Sequence, residues 1–226
     1  MKKNILILTA FILMLGFSAK AQMDGISIGL RGGVDFQTFN GKDMNNDALK
    51  FSMVPRFNLG VTADIPVAPD FYFQPGLLFT TKGAKSKDKF LGMDMSAEYN
   101  LSYIELPLSL LYKPMLGNGH FILGFGPYLA YGVGGKVKYE INNVSTDEKI
   151  VFGNEFESAN PQDMKYFRAL DFGGNLFFGY ELLSGISVQL NTQLGLAKIN
   201  ADNTLAPDSK TAFKNTGVGL SVGYIF

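Results

Sequence analysis

The sequence predicts an all-β protein: an eight-stranded antiparallel up-and-down transmembrane β-barrel that follows a cleavable signal peptide. Three observations predict this fold class. The N-terminus has the pattern of an export signal, long segments alternate apolar with small or polar residues, and the connections between these segments are short and long in turn. Alternation with a period of two is typical of strands that have one apolar face.

The first 21 residues have the pattern of a secretory signal. Two lysines precede an apolar run, residues 5–17, and the run ends in the small-residue site Ala19-Lys20-Ala21. This is an A-x-A cleavage site, and the run is shorter than the roughly 20 apolar residues that a spanning helix needs. We therefore expect residues 1–21 to be removed and residues 22–226 to form one barrel domain.

The composition of the mature chain excludes several classes of protein. Without residues 1–21 it has 17 basic and 20 acidic residues, a formal charge of −3, so it has no excess of cations to bind nucleic acid. It has no cysteine and therefore no disulfide framework. The 26 glycines, 20 phenylalanines and 10 tyrosines fit either a soluble all-β protein or a membrane barrel.

Eight segments show the alternation. In the first, Leu30, Val34 and Phe36 alternate with small or charged residues such as Gly33 and Asp35. We predict strands near residues 26–39, 52–66, 71–84, 97–114, 120–139, 166–182, 186–199 and 213–226. The connections 67–70, 115–119 and 183–185 are short, whereas 40–51, 85–96, 140–165 and 200–212 are long. This rhythm is typical of outer-membrane barrels, whose short turns are periplasmic.

The distribution of glycine predicts which face points outward. Many glycines lie on the polar face, and the interior of an eight-stranded barrel is only just wide enough for side chains. The aliphatic residues must then face outward, which is stable only in hydrocarbon. We therefore expect a barrel in the outer membrane of a Gram-negative cell, with both termini periplasmic. Aromatic residues predict two interfacial girdles, one of Phe71, Tyr112, Tyr180, Tyr224 and Phe226 and one of Phe36, Phe79, Tyr131 and Phe167.

Several segments resemble a known family. Phe73-Gln-Pro-Gly-Leu-Leu-Phe79, Tyr103-Ile-Glu-Leu-Pro-Leu108 and Gly126-Pro-Tyr-Leu-Ala-Tyr-Gly132 look like successive hairpins of the PorT-like outer-membrane β-barrel family, within the porin-like, OmpX-like superfamily. The resemblance implies a shared barrel and export route. Most members have no assigned activity, and the namesake is associated with a protein-secretion apparatus. The C-terminus also resembles that of outer-membrane barrels, whose terminal aromatic residue is recognised by the barrel-assembly machinery. The corresponding assembly signal here is Val222, Tyr224 and Phe226.

Charged residues on the small-residue face are the candidate functional residues. They are Arg31, Asp35, Arg56, Asp64, Lys82, Glu105, Lys113, Asp171 and Glu181. A lone buried charge is costly, so we expect these residues to form a paired network that fills the lumen. Counting from the short turns puts Arg56, Asp35 and Glu105 at a similar depth, which predicts an Arg–carboxylate cluster there. A structural plug is favoured over a proton or ion path.

Other candidate sites are weaker. The single histidine, His120, lies at a predicted periplasmic turn, where it cannot serve an enzyme of the outer leaflet. Residues 43–54 begin like a calcium loop, but Ala48 and Val54 stand where the motif needs glycine and glutamate. We therefore expect no catalytic site, metal or cofactor. The remaining candidates are loop residues: the lysines Lys85, Lys87 and Lys89, which lipopolysaccharide phosphates would attract, and the acids Asp147, Glu148, Glu155, Glu157 and Asp163.

The function that best fits the sequence is a non-enzymatic outer-membrane barrel with a structural, adhesive or secretion-associated role through its long external loops. The expected partners are outer-membrane lipid and lipopolysaccharide, the barrel-assembly machinery during insertion, and an envelope or extracellular protein, but no nucleic acid. The main alternative is a narrow pore for small solutes. An outer-membrane lipid enzyme and a soluble carrier of fatty ligands are the remaining alternatives.

Overall fold

The computed structural model describes residues 25–42, 50–90, 93–142, 144–157, 165–205 and 211–226. The predicted signal peptide lies outside the described residues. The eight barrel strands are β1 (Ser27–Lys42), β2 (Val54–Ala68), β3 (Phe71–Lys82), β4 (Met93–Tyr112), β5 (Gly119–Ile141), β6 (Leu170–Leu182), β7 (Ile186–Gly195) and β8 (Ala212–Ile225). Among the described residues there is no helix long and apolar enough to cross a membrane.

Each strand pairs antiparallel with the next along the chain, and the last pairs with the first. The closing ladder between β1 and β8 runs from the pair Gly29 and Ile225 to the pair Lys42 and Ala212. Closure leaves none of the eight strands with an unpaired edge in the barrel wall, so their backbone groups need no water. The predicted eight-stranded up-and-down barrel is therefore confirmed.

The two ends of the barrel differ. The three short connections and both ends of the described chain lie at one end, which we call the turn end. All three turns contain a residue with a positive φ, Asp70 at 61°, Gly117 at 62° and Gly185 at 86°. The long connections lie at the other end, which we call the loop end.

Beyond the barrel wall, the loop end continues as ordered β-structure. The strand Lys85–Phe90 pairs on one edge with the first part of β4. The other edge of Lys85–Phe90 pairs with the short strand Phe51–Ser52. On the far side, Val144–Lys149 pairs with the last part of β5. Two short parallel pairs complete this region, one between Val151–Phe152 and Tyr166–Phe167 and one between Glu155–Phe156 and Asp202–Asn203.

Alternation along the strands separates two environments. The large aliphatic side chains of the alternating set point away from the lumen, as for Leu59, which is 61% exposed, and Leu220, which is 50% exposed. The residues that alternate with them along each strand point into the lumen and are buried, as for Asp35, which is 8% exposed. The predicted orientation of the two faces is thus confirmed, and the exposed band is what a hydrocarbon environment stabilises.

Glycine on the inner face allows the sheet to curve tightly. A Cβ atom at Gly195 would lie 2.5 Å from the carbonyl oxygen of Asn215 on the neighbouring strand. Real Cβ atoms do not approach carbonyl oxygens so closely, so the backbone could not keep this spacing with any other residue.

Four strand prolines do not shift the register. The sequence predicts bulges or bends at Pro55, Pro75, Pro107 and Pro127, but the register shifts lie between Pro66 and Ala68 and between Ser102 and Tyr103. The β3–β4 ladder is interrupted directly after Pro75 and resumes at Leu78 in the same register. A missing N–H donor therefore costs local pairing without forcing an extra residue into the strand.

Candidate functional site: the closed lumen

The inner face of the barrel carries all nine charged residues that the alternation assigned to it. Eight of them are buried, namely Asp35, Arg56, Asp64, Lys82, Glu105, Lys113, Asp171 and Glu181, and Arg31 is half-buried. Most of them form two clusters, each centred on a lysine.

The first group, which we call the Lys82 cluster, crosses the lumen. Lys82 Nζ on β3 lies 2.9 Å from Glu105 Oε2 on β4 and 3.0 Å from Asp171 Oδ2 on β6, three strands away around the ring. The ammonium also lies 4.0 Å from the ring centroid of Tyr128, and Asn215 Nδ2 donates to Asp171 Oδ2 at 2.9 Å. The lysine is 0% exposed, so its charge depends on these partners for solvation.

The second group, which we call the Lys113 cluster, lies at the turn end. Lys113 Nζ lies 2.9 Å from Asp64 Oδ2 and 2.7 Å from Glu181 Oε2. Gln74 Nε2 donates to Asp64 Oδ1 at 2.7 Å, and the ring of Tyr72 lies 5.2 Å from the lysine. Each cluster thus joins one cation to two carboxylates and links strands that do not pair with each other.

The predicted cluster of Arg56, Asp35 and Glu105 is wrong. Arg56 Nη2 pairs with Glu98 Oε1 at 3.2 Å and donates to the carbonyl oxygen of Tyr99 at 2.6 Å. Asp35 instead accepts a hydrogen bond from an asparagine, and Glu105 belongs to the Lys82 cluster. Asp35 and Arg56 lie opposite each other in the register of β1 and β2, but the strands of a barrel are tilted, so Glu105 does not share their depth although it is about as far from the turns.

Arg31 has no carboxylate within 4 Å among the residues that the structure describes. Its guanidinium carbon lies 5.5 Å from the ring centroid of Phe177, and its Nε atom has no hydrogen-bond partner in the described part of the chain. Arg31 is therefore the cation of the inner face that is held by an aromatic ring rather than by an ion pair.

An apolar layer closes the loop end of the lumen, and the sequence analysis missed it. We call it the aromatic layer: Phe39, Ala84, Tyr99, Leu101, Tyr103, Tyr128, Ala130, Val137, Ile150, Phe167, Ile199 and Phe213, all buried. The ring centroids of Phe39 on β1 and Tyr99 on β4 are 5.6 Å apart, so these side chains meet across the barrel. Apolar residues on both faces of β4, such as Leu101 inside and Ile104 outside, were the signal that would have revealed it.

Three long connections contribute to this layer, and Ala84 comes from the one between β3 and β4. Ile150 and Phe167 come from the connection between β5 and β6, and Ile199 comes from the connection between β7 and β8. Phe167 is 1% exposed, which corrects its predicted place in an interfacial girdle. The predicted strand over 166–182 begins only at Leu170, because the chain before it folds over the lumen.

The interior between these groups holds little open space. A central cavity of about 30 Å³ is lined by Arg31, Asp35 and Glu105, among others, and a second of about 10 Å³ lies beside Asp64 and Lys113. A small apolar cluster of Leu111, Ile122 and Phe177 packs between them. Roughly 10–15 Å³ is needed for one water molecule, so these spaces hold about three waters in all.

The remaining candidates lie outside the lumen network. His120 is the second residue of β5 at the turn end, where it bridges to Met115. No group of three or more acidic or histidine residues suited to a metal occurs in the described ranges. The first part of the calcium-like loop, residues 43–49, lies outside the described residues, as does Asp163. Asp147 and Glu148 pair with Lys136 and Lys165, at 2.8 and 3.0 Å.

One carboxylate near the loop end gathers two cations. Asp202 accepts hydrogen bonds of 2.5 Å from Lys198 Nζ and from Arg168 Nη2. The hydrogen bond from Lys198 holds the pKa of the Asp202 carboxyl below its ordinary value, with a smaller contribution from Arg168. Lys198 and Arg168 lie just beyond the exposed apolar band, next to Leu196 and Leu170.

Val222, Tyr224 and Phe226, the predicted assembly signal, lie on the outer face of β8 and at the chain end. All three are exposed, and the rings of Tyr224 and Phe226 meet edge to face with centroids 5.0 Å apart. The backbone N–H of Phe226 donates to the carbonyl oxygen of Ile28, so the end of the chain is fixed to β1.

The comparisons with known proteins concern the barrel as a whole. Among solved structures, OprG from Pseudomonas aeruginosa is 14% identical, with 88% of this chain and 95% of that chain covered and a TM-score of 0.46. Neisserial surface protein A is 10% identical, with coverages of 90% and 100% and a TM-score of 0.44. Ail, the attachment invasion locus protein of Yersinia pestis, is 11% identical, with coverages of 89% and 99% and a TM-score of 0.37.

No curated protein matches the sequence. The family model described as "Outer membrane protein beta-barrel domain" matches residues 19–201, which is more than half of the chain. Together with the closed ring of eight strands and its apolar outer band, this match identifies the molecule. The chain belongs to the family of outer-membrane proteins with a β-barrel domain.

Proposed function

We propose that this outer-membrane protein is a non-conducting and non-enzymatic barrel that acts through the ordered structure at its loop end, in a structural, adhesive or secretion-associated role. The observation that carries the proposal is the filling of the lumen. A transport pathway needs continuous water, whereas the aromatic layer and the Lys82 cluster both cross the barrel. Leu101, Phe167 and Ile199 in the layer are at most 1% exposed.

The form of the loop end supports a binding role. The strands Lys85–Phe90 and Val144–Lys149 extend the sheet of β4 and β5 beyond the barrel wall. Ion pairs such as that between Lys136 and Asp147 fix side chains on this extension. Such an extension offers a preorganised surface, which lowers the entropy cost of binding a partner. An envelope or extracellular protein and lipopolysaccharide are the partners that we propose for it.

We further propose that the loop end faces the outside of the cell and that the turn end, with both termini, is periplasmic. The short turns at one end and the long connections at the other support this orientation, because outer-membrane barrels have short periplasmic turns and longer extracellular loops. The resemblance of the hairpins to the PorT-like family supports a finer assignment within the outer-membrane barrels and with it an association with secretion. The position of His120 at the turn end supports a protein without hydrolase or acyltransferase chemistry in the outer leaflet.

Ion conductance tests the closed lumen. The refolded protein should give no steady open-channel current in planar bilayers across the voltage range that the membrane tolerates. Insertion must be verified in the same preparation, by the mobility difference between heated and unheated samples on a gel. A steady open-channel current would contradict the proposal and favour the narrow pore.

Cysteine labelling tests the orientation, and the natural chain has no cysteine that would interfere. Ser145→Cys places a thiol on the exposed strand of the loop end, and Asn118→Cys places one in a short turn. A membrane-impermeant maleimide should label Ser145→Cys on intact cells and should label Asn118→Cys only after the outer membrane is opened. The reverse pattern would invert the proposed orientation.

A further inference from the structure

Several buried side-chain oxygens around the central cavity lack a hydrogen-bond donor among the described residues. It has room for about two water molecules, at roughly 10–15 Å³ for each. The charged residues that line it are Arg31, Asp35 and Glu105, and its other polar walls include the amides of Gln37, Asn58 and Gln193. Glu105 belongs to the Lys82 cluster, and the cavity therefore lies directly beside that cluster.

Two of these amides have a fixed orientation. Asn58 Nδ2 donates to Asp35 Oδ2 at 2.6 Å, and Gln193 Nε2 donates to the two oxygens of Glu105 at 3.0 and 3.2 Å. Because an ionised carboxylate only accepts hydrogen bonds, each amide must present its nitrogen to the carboxylate. The oxygens Asn58 Oδ1 and Gln193 Oε1 are left buried without a partner among the described residues.

Two more oxygens in the cavity wall share this condition. Gln37 Oε1 and Asn191 Oδ1 are buried and have no hydrogen-bond donor within the described part of the chain. Gln37 is 2% exposed and Asn58 is 6% exposed, so these groups cannot reach bulk water. An unpaired buried acceptor costs about 1–3 kcal/mol, so the fixed oxygens of Asn58 and Gln193 need a partner in the cavity, and the amides of Gln37 and Asn191 can turn their oxygens to the same partner.

The charges around the cavity point to the nature of that partner. Arg31 and Lys82 supply two positive charges, whereas Asp35, Glu105 and Asp171 supply three negative charges. With all five groups ionised, one negative charge is in excess beside the cavity. An uncompensated charge in such surroundings is costly, whereas a small cation would balance it and would bind to oxygen atoms.

We propose that the central cavity binds one monovalent cation of the Na⁺ or K⁺ class, coordinated by these amide oxygens and by water. A monovalent ion matches the single excess charge, and the described residues offer no group of three acidic or histidine side chains that a tighter metal site would use. Arg31 lines both the central and the smaller cavity, so its charge is shared between the two. This inference does not depend on the proposed role of the loop end.

Unfolding in different salts tests the proposal. The midpoint of urea unfolding of the refolded protein is measured in NaCl, KCl and N-methylglucamine chloride at one ionic strength, because the organic cation is too large for the cavity. At a salt concentration of ten times the dissociation constant, a cation that binds only the folded state raises the folding equilibrium constant about tenfold. We expect a higher midpoint in NaCl or KCl than in the organic salt, and equal midpoints in all three would overturn the proposal.

Three variants locate the effect. Asp35→Asn removes the excess charge at nearly constant size and should abolish the dependence on the cation. Gln37→Leu removes one oxygen and should weaken the dependence. Asp147→Asn, in an exposed ion pair at the loop end, is the matched control and should retain it. A dependence that persists unchanged in both cavity variants would place the ion elsewhere.

A direct measurement is independent of variant folding. Crystals of the wild-type protein grown or soaked in RbCl should show an anomalous difference peak in the central cavity, between the oxygens of Asn58 and Gln193. Density for water alone, without an anomalous peak, would show that the cavity is merely hydrated and would refute the proposal.

Discussion

The Lys82 cluster permits a quantitative test of how the lumen is held together. Lys82→Met keeps a side chain of similar length and removes the ammonium that lies 2.9 Å from Glu105 and 3.0 Å from Asp171. Breaking a buried ion pair by removing one partner costs about 3–5 kcal/mol, because the remaining charge is left unpaired. Here two carboxylates lose the same partner, and the contact with the Tyr128 ring is lost as well. We therefore expect a loss of at least about 4 kcal/mol.

A compensated variant separates lost pairing from lost packing. In Lys82→Met combined with Glu105→Gln and Asp171→Asn, no unpaired charge remains. Replacement of a whole buried ion network by neutral groups is often close to neutral or even stabilising. The triple variant should therefore recover most of the stability lost in the single variant. If both lose the same stability, the cause is packing rather than charge.

The assay is urea unfolding of the refolded protein in detergent micelles or lipid vesicles, followed by far-ultraviolet circular dichroism because the chain has no tryptophan. Lys136→Met is the matched control, since Lys136 pairs with Asp147 at 2.8 Å but is about half exposed. Exposed pairs contribute about 0–1 kcal/mol, so the control should be nearly neutral. A loss below about 1 kcal/mol for Lys82→Met would refute this account of the lumen.

Three further predictions concern the barrel wall and the loop end. Gly195→Ala should lower the free energy of unfolding in urea by about 1–3 kcal/mol, because the new Cβ atom would lie 2.5 Å from the Asn215 carbonyl oxygen. Gly134→Ala is the control and should cost far less, because its Cβ atom would have no atom within 4 Å. Equal losses in the two variants would contradict this prediction. Leu220→Arg should cost about 2–4 kcal/mol in vesicles if its side chain faces the membrane centre, and a neutral result would place it elsewhere. The depressed pKa of Asp202 adds stability that is complete above about pH 4 and is lost as the pH falls through the folded-state pKa. Asp202→Asn should therefore flatten the acid side of the pH–stability curve by under about 1 kcal/mol, and an unchanged curve would exclude this contribution.

The barrel was predictable from the sequence because its constraint repeats at every second residue. Leu30, Val34 and Phe36 each face outward for the same reason, so an error at one position does not change the assignment. Hydrocarbon outside and a narrow lumen inside act on all eight strands alike. The family match and the closed ladder confirm the fold that this pattern predicts.

The ion pairs and hydrogen bonds inside the lumen, unlike the strands, could not be predicted from the alternation. The alternation assigns Asp35 and Arg56 to the inner face, and the register places them opposite each other on β1 and β2. Their side chains nevertheless bind other partners, because Arg56 reaches towards Glu98 on the part of β4 that extends beyond the barrel wall. Such a contact depends on strand tilt and on the length of an extension, neither of which a pattern of period two encodes.

The aromatic layer shows why the pattern of small or polar inward residues does not hold at the loop end of the barrel. Along most of the barrel, inward positions are mainly small or polar, because the lumen has room for little else and the charges there must pair; the small cluster of Leu111, Ile122 and Phe177 is the exception. At the loop end the long connections themselves supply Ile150, Phe167 and Ile199, and an apolar inward residue then has an apolar partner. The inward set of β4 accordingly changes from Glu105 and Ser109 to Leu101 and Tyr99. On β4, the change from polar to apolar inward residues towards the loop end therefore marks the depth at which the loops close the lumen.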